Sequence, residues 1–204
     1  MATITKTAGI AILAHTAITH PDTLVGSAQD VSTKLAATIL LFHASVEATA
    51  NTNSGIFKVQ VSGSASGNED WVTVSEFQAM VSTADDEVMM AIEPVGEKVM
   101  AVASTTGFVT GDKLYLQDID TLANSEWNLC QEIVTNTSIN LVDGLTNEKS
   151  TVGNGCKIRN DADTFICSLD LTAISRIRVV FMHEGTIGAN CHVKGLMVTG
   201  DSIG

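Results

Sequence analysis

Clusters of Gly, Pro, Asn, Asp and Ser interrupt this chain at short intervals and keep every element between them short. The clusters are HPDT (20–23), NTNSG (51–55), SGSASGNED (62–70), TGD (110–112), VDG (142–144), VGNG (152–155) and HEGTIGAN (183–190). Runs rich in Val, Ile, Thr and Phe lie between them and predict strands at 37–46, 56–62, 70–78, 113–117, 138–142, 176–182 and 192–198. Clean helical periodicity is missing, and the segments 32–37 and 83–90 are the best helix candidates, although 83–90 could equally lead into a strand. Many short strands at this spacing predict an all-β fold, a sandwich or a barrel.

The predicted strands differ in length and in apolar character along the chain. Residues 24–93 and 162–204 carry long apolar strands, whereas residues 94–161 carry shorter strands and tight turns. We therefore expect a β-sandwich with a small β-barrel-like domain inserted into it. Residues 1–23 form an N-terminal strand or arm in this interpretation.

Residues 104–122, STTGFVTGDKLYLQDIDTL, combine two glycines with three aspartates. A phosphate-binding P-loop needs a lysine and a hydroxyl residue after its second glycine, but here an aspartate follows Gly111 and would repel phosphate. The spaced acidic ladder of an EF-hand is also missing. A hairpin turn at Gly111-Asp112, followed by an alternating strand, explains the stretch best. A weak surface cation near Asp118 and Asp120 remains the alternative.

The charge balance limits the partners of this chain. It has 23 acidic and 11 basic residues, a formal net charge of −12, and nucleic-acid binding requires clustered Lys and Arg. Arg176 and Arg178 alternate with apolar Ile177 and Val179, which indicates one face of a strand. We expect no nucleic-acid partner, and no membrane contact, since no segment reaches about 18 apolar residues.

The N-terminal stretch KTAGIAILAHTAI (6–18) places an apolar run after a single lysine. His15 and Thr16 interrupt this run, so a secretory signal is a poor match. We interpret about residues 8–14 as a first strand or an extended arm. An arm of this kind would clamp an adjacent subunit, and deleting residues 1–20 would then abolish that contact while leaving the fold intact.

Residue types that carry out catalysis are present but are not arranged for it. The four cysteines show no C-x-x-C spacing and are best explained as small buried hydrophobes in a reducing compartment. The five histidines and the serines match neither H-E-x-x-H nor G-x-S-x-G. Cys191 and His192 are adjacent on a predicted strand and would face opposite sides. Acidic clusters at 69–70 and 85–87 fit solvated turns. We predict no enzyme activity and no catalytic, cofactor-binding or metal-binding residues.

The two tryptophans are the largest anchors in a chain with only 4% aromatic residues. Trp71 stands where a polar loop enters a strand, so it either caps the sandwich core or serves as a stacking platform or partner contact. Trp127 is predicted to begin the strand that pairs back on KLYLQ (113–117) and to plug the small domain.

Several phrases of the chain resemble virion structural proteins of tailed bacteriophages and prophages. They are STTGFVTGDKLYLQD, LANSEW, VTNTSINLVDGLTNE, DLTAISRIRVVF, the terminal VTGDSIG and SGSASGNEDWVTVSEFQ, and together they span roughly residues 30–204. These turn-and-strand phrases indicate architecture better than role, and the resemblance carries over no catalytic residue.

The resemblance implies a particle component located in the virion and assembled in the bacterial cytoplasm. A capsid decoration (cement) protein that bridges major capsid subunits, as a homo-oligomer and most simply a trimer, is the leading expectation, and a tail, neck or baseplate piece is the alternative. Ile10, Ile12, Leu13 and Trp71 are the candidate partner contacts. A carbohydrate-binding module with Trp71 and Tyr115 as platforms remains open, and a glycoside hydrolase lacks a recognisable acid pair.

Overall fold

The computed structural model describes residues 6–19, 22–46, 55–68, 70–79, 86–149, 155–160, 162–184 and 190–201. Their strands are β1 Ile10–Thr19, β2 Thr23–Val25, β3 Gln29–Asp30, β4 Lys34–Ser45, β5 Gly55–Ser62, β6 Val72–Ala79, β7 Asp86–Val88, β8 Val99–Ala101, β9 Lys113–Asp118, β10 Glu126–Val134, β11 Ser138–Leu141, β12 Cys156–Arg159, β13 Ala162–Asp170, β14 Arg176–His183 and β15 Asn190–Asp201. One 3-10 turn, Leu122–Asn124, is the only helical element in these ranges. The prediction of an all-β fold is confirmed.

The chain divides into two compact units. One comprises Met1–His43, Asn53–Met80 and Thr164–Gly204, and the other comprises Ala44–Thr52 and Val81–Asp163. The first is a β-sandwich and the second is a small barrel-like sheet, and we refer to them as the sandwich and the barrel.

Two antiparallel sheets face each other in the sandwich. A four-stranded sheet has the order β1-β15-β4-β13, and a five-stranded sheet contains β2-β14-β5-β6 with β3 pairing on β14. Alternate residues of β4 (Ala37, Ile39 and Leu41) are buried, as expected for a strand with one face on a core. They join a cluster with Phe57 and Phe181 of the opposite sheet, whose ring centroids are 4.7 Å apart.

Neither short helix candidate is helical where the structure describes it, and the strand alternative for 83–90 is confirmed. Residues 34–37 belong to strand β4 and residues 86–88 form strand β7, while residues 83–85 lie outside the described ranges. The period-two burial along β4 outweighs the local helix propensity of Lys34, Leu35 and the two alanines that follow.

Strand β1 is an integral part of the sandwich. It pairs antiparallel with β15, and register shifts on either side of Leu13 allow the consecutive residues Ile12 and Leu13 both to be buried. These two side chains are only 1% exposed and contribute to the core. Because these residues lie in the core, we now expect the deletion of residues 1–20 to open the core rather than to leave the fold intact.

The barrel is one antiparallel sheet curled on itself. Its strand order is β7-β12-β9-β10-β11-β8. The two ends of this order meet at an isolated bridge between Met89 and Val102, where the Met90 N–H donates to the Ala101 carbonyl at 2.8 Å. The predicted barrel-like character is confirmed, and this contact closes the sheet.

The barrel core is mainly aliphatic and also contains a buried ion pair. Lys149 is fully buried, and its Nζ lies 2.8 Å from the Glu126 carboxylate and donates to the Asn124 carbonyl. Burial disfavours ionisation of Glu126, but hydrogen bonds from Lys149 and Thr146 outweigh it and hold the pKa of Glu126 below its ordinary value.

The Gly111-Asp112 turn is not a hairpin turn. The strand predicted after it is present as β9, but β9 pairs with β10 and β12, whereas the preceding β8 pairs with β11. The turn docks on Cys130 of β10 through two main-chain bonds, from Gly111 N–H and to the Asp112 carbonyl. The predicted pairing of Trp127 on KLYLQ is confirmed, since Trp127 lies opposite Tyr115.

The four cysteines are free and buried, which confirms their interpretation as small core residues. Cys167 and Cys191 belong to the sandwich core, and Cys130 and Cys156 belong to the barrel core. Within the described ranges, no helix is long and apolar enough to cross a membrane.

Candidate interaction surface

Two of the three aspartates in the 104–122 stretch, Asp112 and Asp118, accept hydrogen bonds from their own loops. The Asp118 carboxylate accepts hydrogen bonds from the Asp120 and Thr121 N–H groups, at 3.1 and 2.8 Å, and from the Asn124 side-chain amide at 3.3 Å. Such a carboxylate caps a turn. Across the described ranges, no three His, Cys, Asp or Glu side chains are grouped so that they could hold a metal ion.

The structure separates the four candidate partner contacts into two groups. Ile12 and Leu13 are core residues of the sandwich, so another chain cannot reach them without unfolding this one. Ile10 is 41% exposed, and Trp71 is partly buried. Tyr115, the second platform of the carbohydrate-binding alternative, is fully buried and stacks on Trp127 at 4.6 Å, so it offers no ring to a sugar.

Trp71 is not part of the sandwich core. It immediately precedes β6 and lies against the outer face of the five-stranded sheet, where Arg176 and Arg178 of β14 point away from the core. The guanidinium carbons of Arg176 and Arg178 lie 4.8 and 4.2 Å from the centroid of the Trp71 ring. These distances are within the range of cation–π contacts.

Arg176 organises the loop that follows β5. It donates to the carbonyls of Ser64, Ser66 and Gly67 at 2.6, 3.1 and 2.9 Å, and it pairs with the Asp70 carboxylate at 3.3 Å. These bonds occupy the planar fork of donors that arginine provides. Arg176 therefore holds the loop and Trp71 in place.

Arg178 has a different environment. Its Nε donates to Gln60 Oε1 at 2.8 Å, and its guanidinium stacks on Trp71. Partial burial and the neighbouring Arg176 charge lower the pKa of Arg178. The side chain stays protonated at neutral pH because an arginine pKa begins far above that range.

The sandwich also leaves two sheet edges free in the part of the chain that the structure describes. Strand β6 ends the five-stranded order and β13 ends the four-stranded order. The two edges lie on the same side of the sandwich, since Cys167 donates to Ser75 at 3.4 Å and the Phe77 and Phe165 rings are 5.4 Å apart.

These edges carry exposed apolar side chains. Val72 and Val74 of β6 and Ile166 of β13 are 62%, 44% and 65% exposed. Neither strand contains Lys or Pro, the residues that often prevent edge-to-edge pairing. We call Trp71, together with Arg176 and Arg178 against its ring, the Trp71 corner. The two edges and the Trp71 corner form the candidate interaction surface.

Sequence reasoning identified parts of this surface but not its assembly. The alternation of Arg176 and Arg178 with apolar residues indicated an outward strand face, and Trp71 was a candidate contact. Their stacking joins residues that are far apart in the chain, and no local pattern reveals it. The run of Ser and Gly before Trp71 was the available signal for an arginine at this position. The carbonyl groups of such a loop need hydrogen-bond donors from outside the loop.

Comparisons with known proteins leave the family open. No protein-family model matches the chain, and no curated protein matches it. A chain from "Structure of infectious bursal disease virus Gx strain" aligns with a TM-score of 0.25 and 7% identity. That alignment covers 99% of this chain and 43% of the viral chain.

Proposed function

We propose that this chain is a non-enzymatic structural protein of a phage particle, most simply a capsid decoration protein that bridges neighbouring subunits of the shell. The observation that carries the proposal is that, among the described strands, β6 and β13 are free edges on one side of the sandwich. An edge with unpaired N–H and C=O groups and exposed valines is a template for an added strand.

The sequence phrases shared with tailed-phage virion proteins support the same role. The acidic net charge of −12 fits a protein that works on the outside of a shell, away from the packaged nucleic acid. Each bound copy would stabilise the assembled state by mass action, and simultaneous contact with several subunits would multiply the effect. A homotrimer would match the threefold positions of a capsid lattice.

Co-sedimentation with shells of the phage that carries the gene tests the proposal. We expect saturable binding and a higher unfolding temperature of the decorated shell. The variants Val74→Lys and Ile166→Lys place a charge on each free edge and should weaken binding at least tenfold. Val134→Lys, at a residue 41% exposed on barrel strand β10, is the matched control and should bind normally.

The oligomeric mass separates the proposal from its alternative. Light scattering at several concentrations should give a discrete trimer for a decoration protein. A hexamer, ring or open polymer would instead favour a tail, neck or baseplate component. Normal shell binding by both edge variants would reject the free edges as the contact surface.

A further inference from the structure

In the part of the chain that the structure describes, the acids near Arg178 do not neutralise its charge. The outer face of the five-stranded sheet holds the ion pairs Lys58–Glu76 at 3.4 Å and Arg176–Asp70 at 3.3 Å. Asp30 of β3, which pairs with Arg176 of β14, accepts hydrogen bonds from Ser32. Among the described residues, Arg178 has no acidic partner within salt-bridge distance. This is notable in a chain with 23 acids and 11 bases.

The Nη donors of Arg178 also lack hydrogen-bond acceptors among the described residues. Its Nε bonds to Gln60, while its two Nη groups make no hydrogen bond within the described part of the chain. The indole Nε1 of Trp71 likewise has no hydrogen-bond partner there. Arg176 on the same ring differs, because its Nη groups bond to the loop and to Asp70.

Stacking on Trp71 pre-organises the guanidinium of Arg178 for binding an anion. A ring centroid 4.2 Å from the guanidinium carbon, together with the bond to Gln60, limits the rotamers of a side chain that is otherwise flexible. The in-plane Nη donors remain available, and their spacing matches the two oxygens of a carboxylate. An incoming anion would also relieve the repulsion between Arg178 and Arg176.

We infer that Arg178, supported by Trp71 and Gln60, is a docking point for an aspartate or glutamate side chain in an extended segment of another protein chain. A protein segment is favoured because Trp71 directly precedes β6, whose free edge offers main-chain hydrogen bonds to an added strand. A single uncompensated cation suits one carboxylate, whereas the charge of −12 repels a polyanion such as nucleic acid. The inference rests on the proposed function in that the segment belongs to a neighbouring particle protein.

Trp71 fluorescence in a Trp127→Phe background tests the site directly. The probe is a blocked peptide Thr-Val-Glu-Val-Thr, and the matched probe replaces its Glu with Gln. We expect saturable quenching by the Glu peptide, at least tenfold weaker binding of the Gln peptide, and weakening when salt is raised. Equal binding of the two peptides, or no saturation, would overturn the inference.

Two variants locate the binding at Arg178. Arg178→Gln should weaken the Glu peptide at least tenfold, and Arg178→Lys should weaken it less, because lysine keeps the charge and loses the planar fork. Lys113→Gln removes the same charge from an exposed barrel position and should leave binding unchanged. Undiminished binding by Arg178→Gln would refute the site.

Two further measurements separate the partner classes and the two proposals. Glucuronate presents a carboxylate on a sugar, and binding as tight as that of the Glu peptide would overturn the assignment to a protein segment. Shell co-sedimentation by Arg178→Gln gives an independent result. Peptide binding without shell binding by the unaltered protein would refute the proposed function and leave the carboxylate site standing, and the reverse result would refute the site alone.

Discussion

The two units of this chain treat the ends of their sheets in opposite ways. The barrel brings the two ends of its strand order together at the bridge between Met89 and Val102. The sandwich leaves β6 and β13 unpaired on one side within the described ranges. Free edges attract other strands, and closure is one of the ways in which β-proteins avoid this. The difference directs the search for partner contacts to the sandwich.

Their cores differ as well. The sandwich core is mainly aliphatic and also contains a group of phenylalanine rings, in which Phe57 contacts both Phe181 and Phe165. The barrel core is largely aliphatic and contains the buried Lys149–Glu126 pair. A hydrophobic core loses stability in proportion to the volume removed, whereas a buried ion pair fails when only one partner is removed. The two units should therefore respond to different changes.

Removal of residues 1–19 should have the largest effect, and it should act on the sandwich. The deletion takes away the partner strand of β15 and the buried residues Ile12 and Leu13. We expect amide hydrogen exchange to lose protection in β15 and β4 while the barrel strands β9 to β11 keep theirs. Ile10→Ser, at an exposed residue of the same strand, should preserve protection in both units. Retained protection in β15 after the deletion would show that β1 is dispensable.

Lys149→Met should destabilise the barrel by about 3–5 kcal/mol, because it leaves the Glu126 carboxylate without its buried cation. Replacing both residues, with Glu126→Leu added, should recover most of this loss, since a matched apolar pair no longer contains an uncompensated charge. Urea unfolding followed by Trp127 fluorescence measures both variants. A double variant no more stable than Lys149→Met would show that the charge is not the cause.

The acid sensitivity of the barrel should depend on the same pair. The folded-state pKa of Glu126 lies below its ordinary value of 4.5, so its contribution is fully present above pH 4.5 and is lost as the pH falls through the lowered folded pKa. Glu126→Gln should therefore lose less stability between neutral and acid pH than the unaltered protein. Chemical unfolding at several pH values measures the difference, and parallel pH profiles would exclude Glu126 as the source.

The sequence predicted the elements better than their closure. Alternation in KLYLQD was sufficient to place β9, and the order of the strands along the chain was sufficient to pair the Trp127 strand with it. The Met89–Val102 bridge and the Arg178–Trp71 stack join distant segments, so their energy is absent from any local pattern. The buried Lys149 was hidden for the same reason, because a lysine in sequence normally indicates a solvated position.

The smallest expected effects concern glycines in the connecting turns, one in each unit. Gly111 in the barrel has φ +94° and Gly67 in the sandwich has φ +97°, and a Cβ at either position would meet nothing within 4 Å. Each alanine substitution should therefore cost only the strain of a left-handed backbone, about 1–2 kcal/mol.

The loss caused by Gly111→Ala should appear in the stability of the barrel, because this turn is bonded to Cys130 of β10. Gly67→Ala should instead disturb the loop that Arg176 holds, and weaken Glu-peptide binding more than it lowers the unfolding free energy. Equal losses of peptide binding in both variants would show that the Trp71 corner does not depend on its own loop.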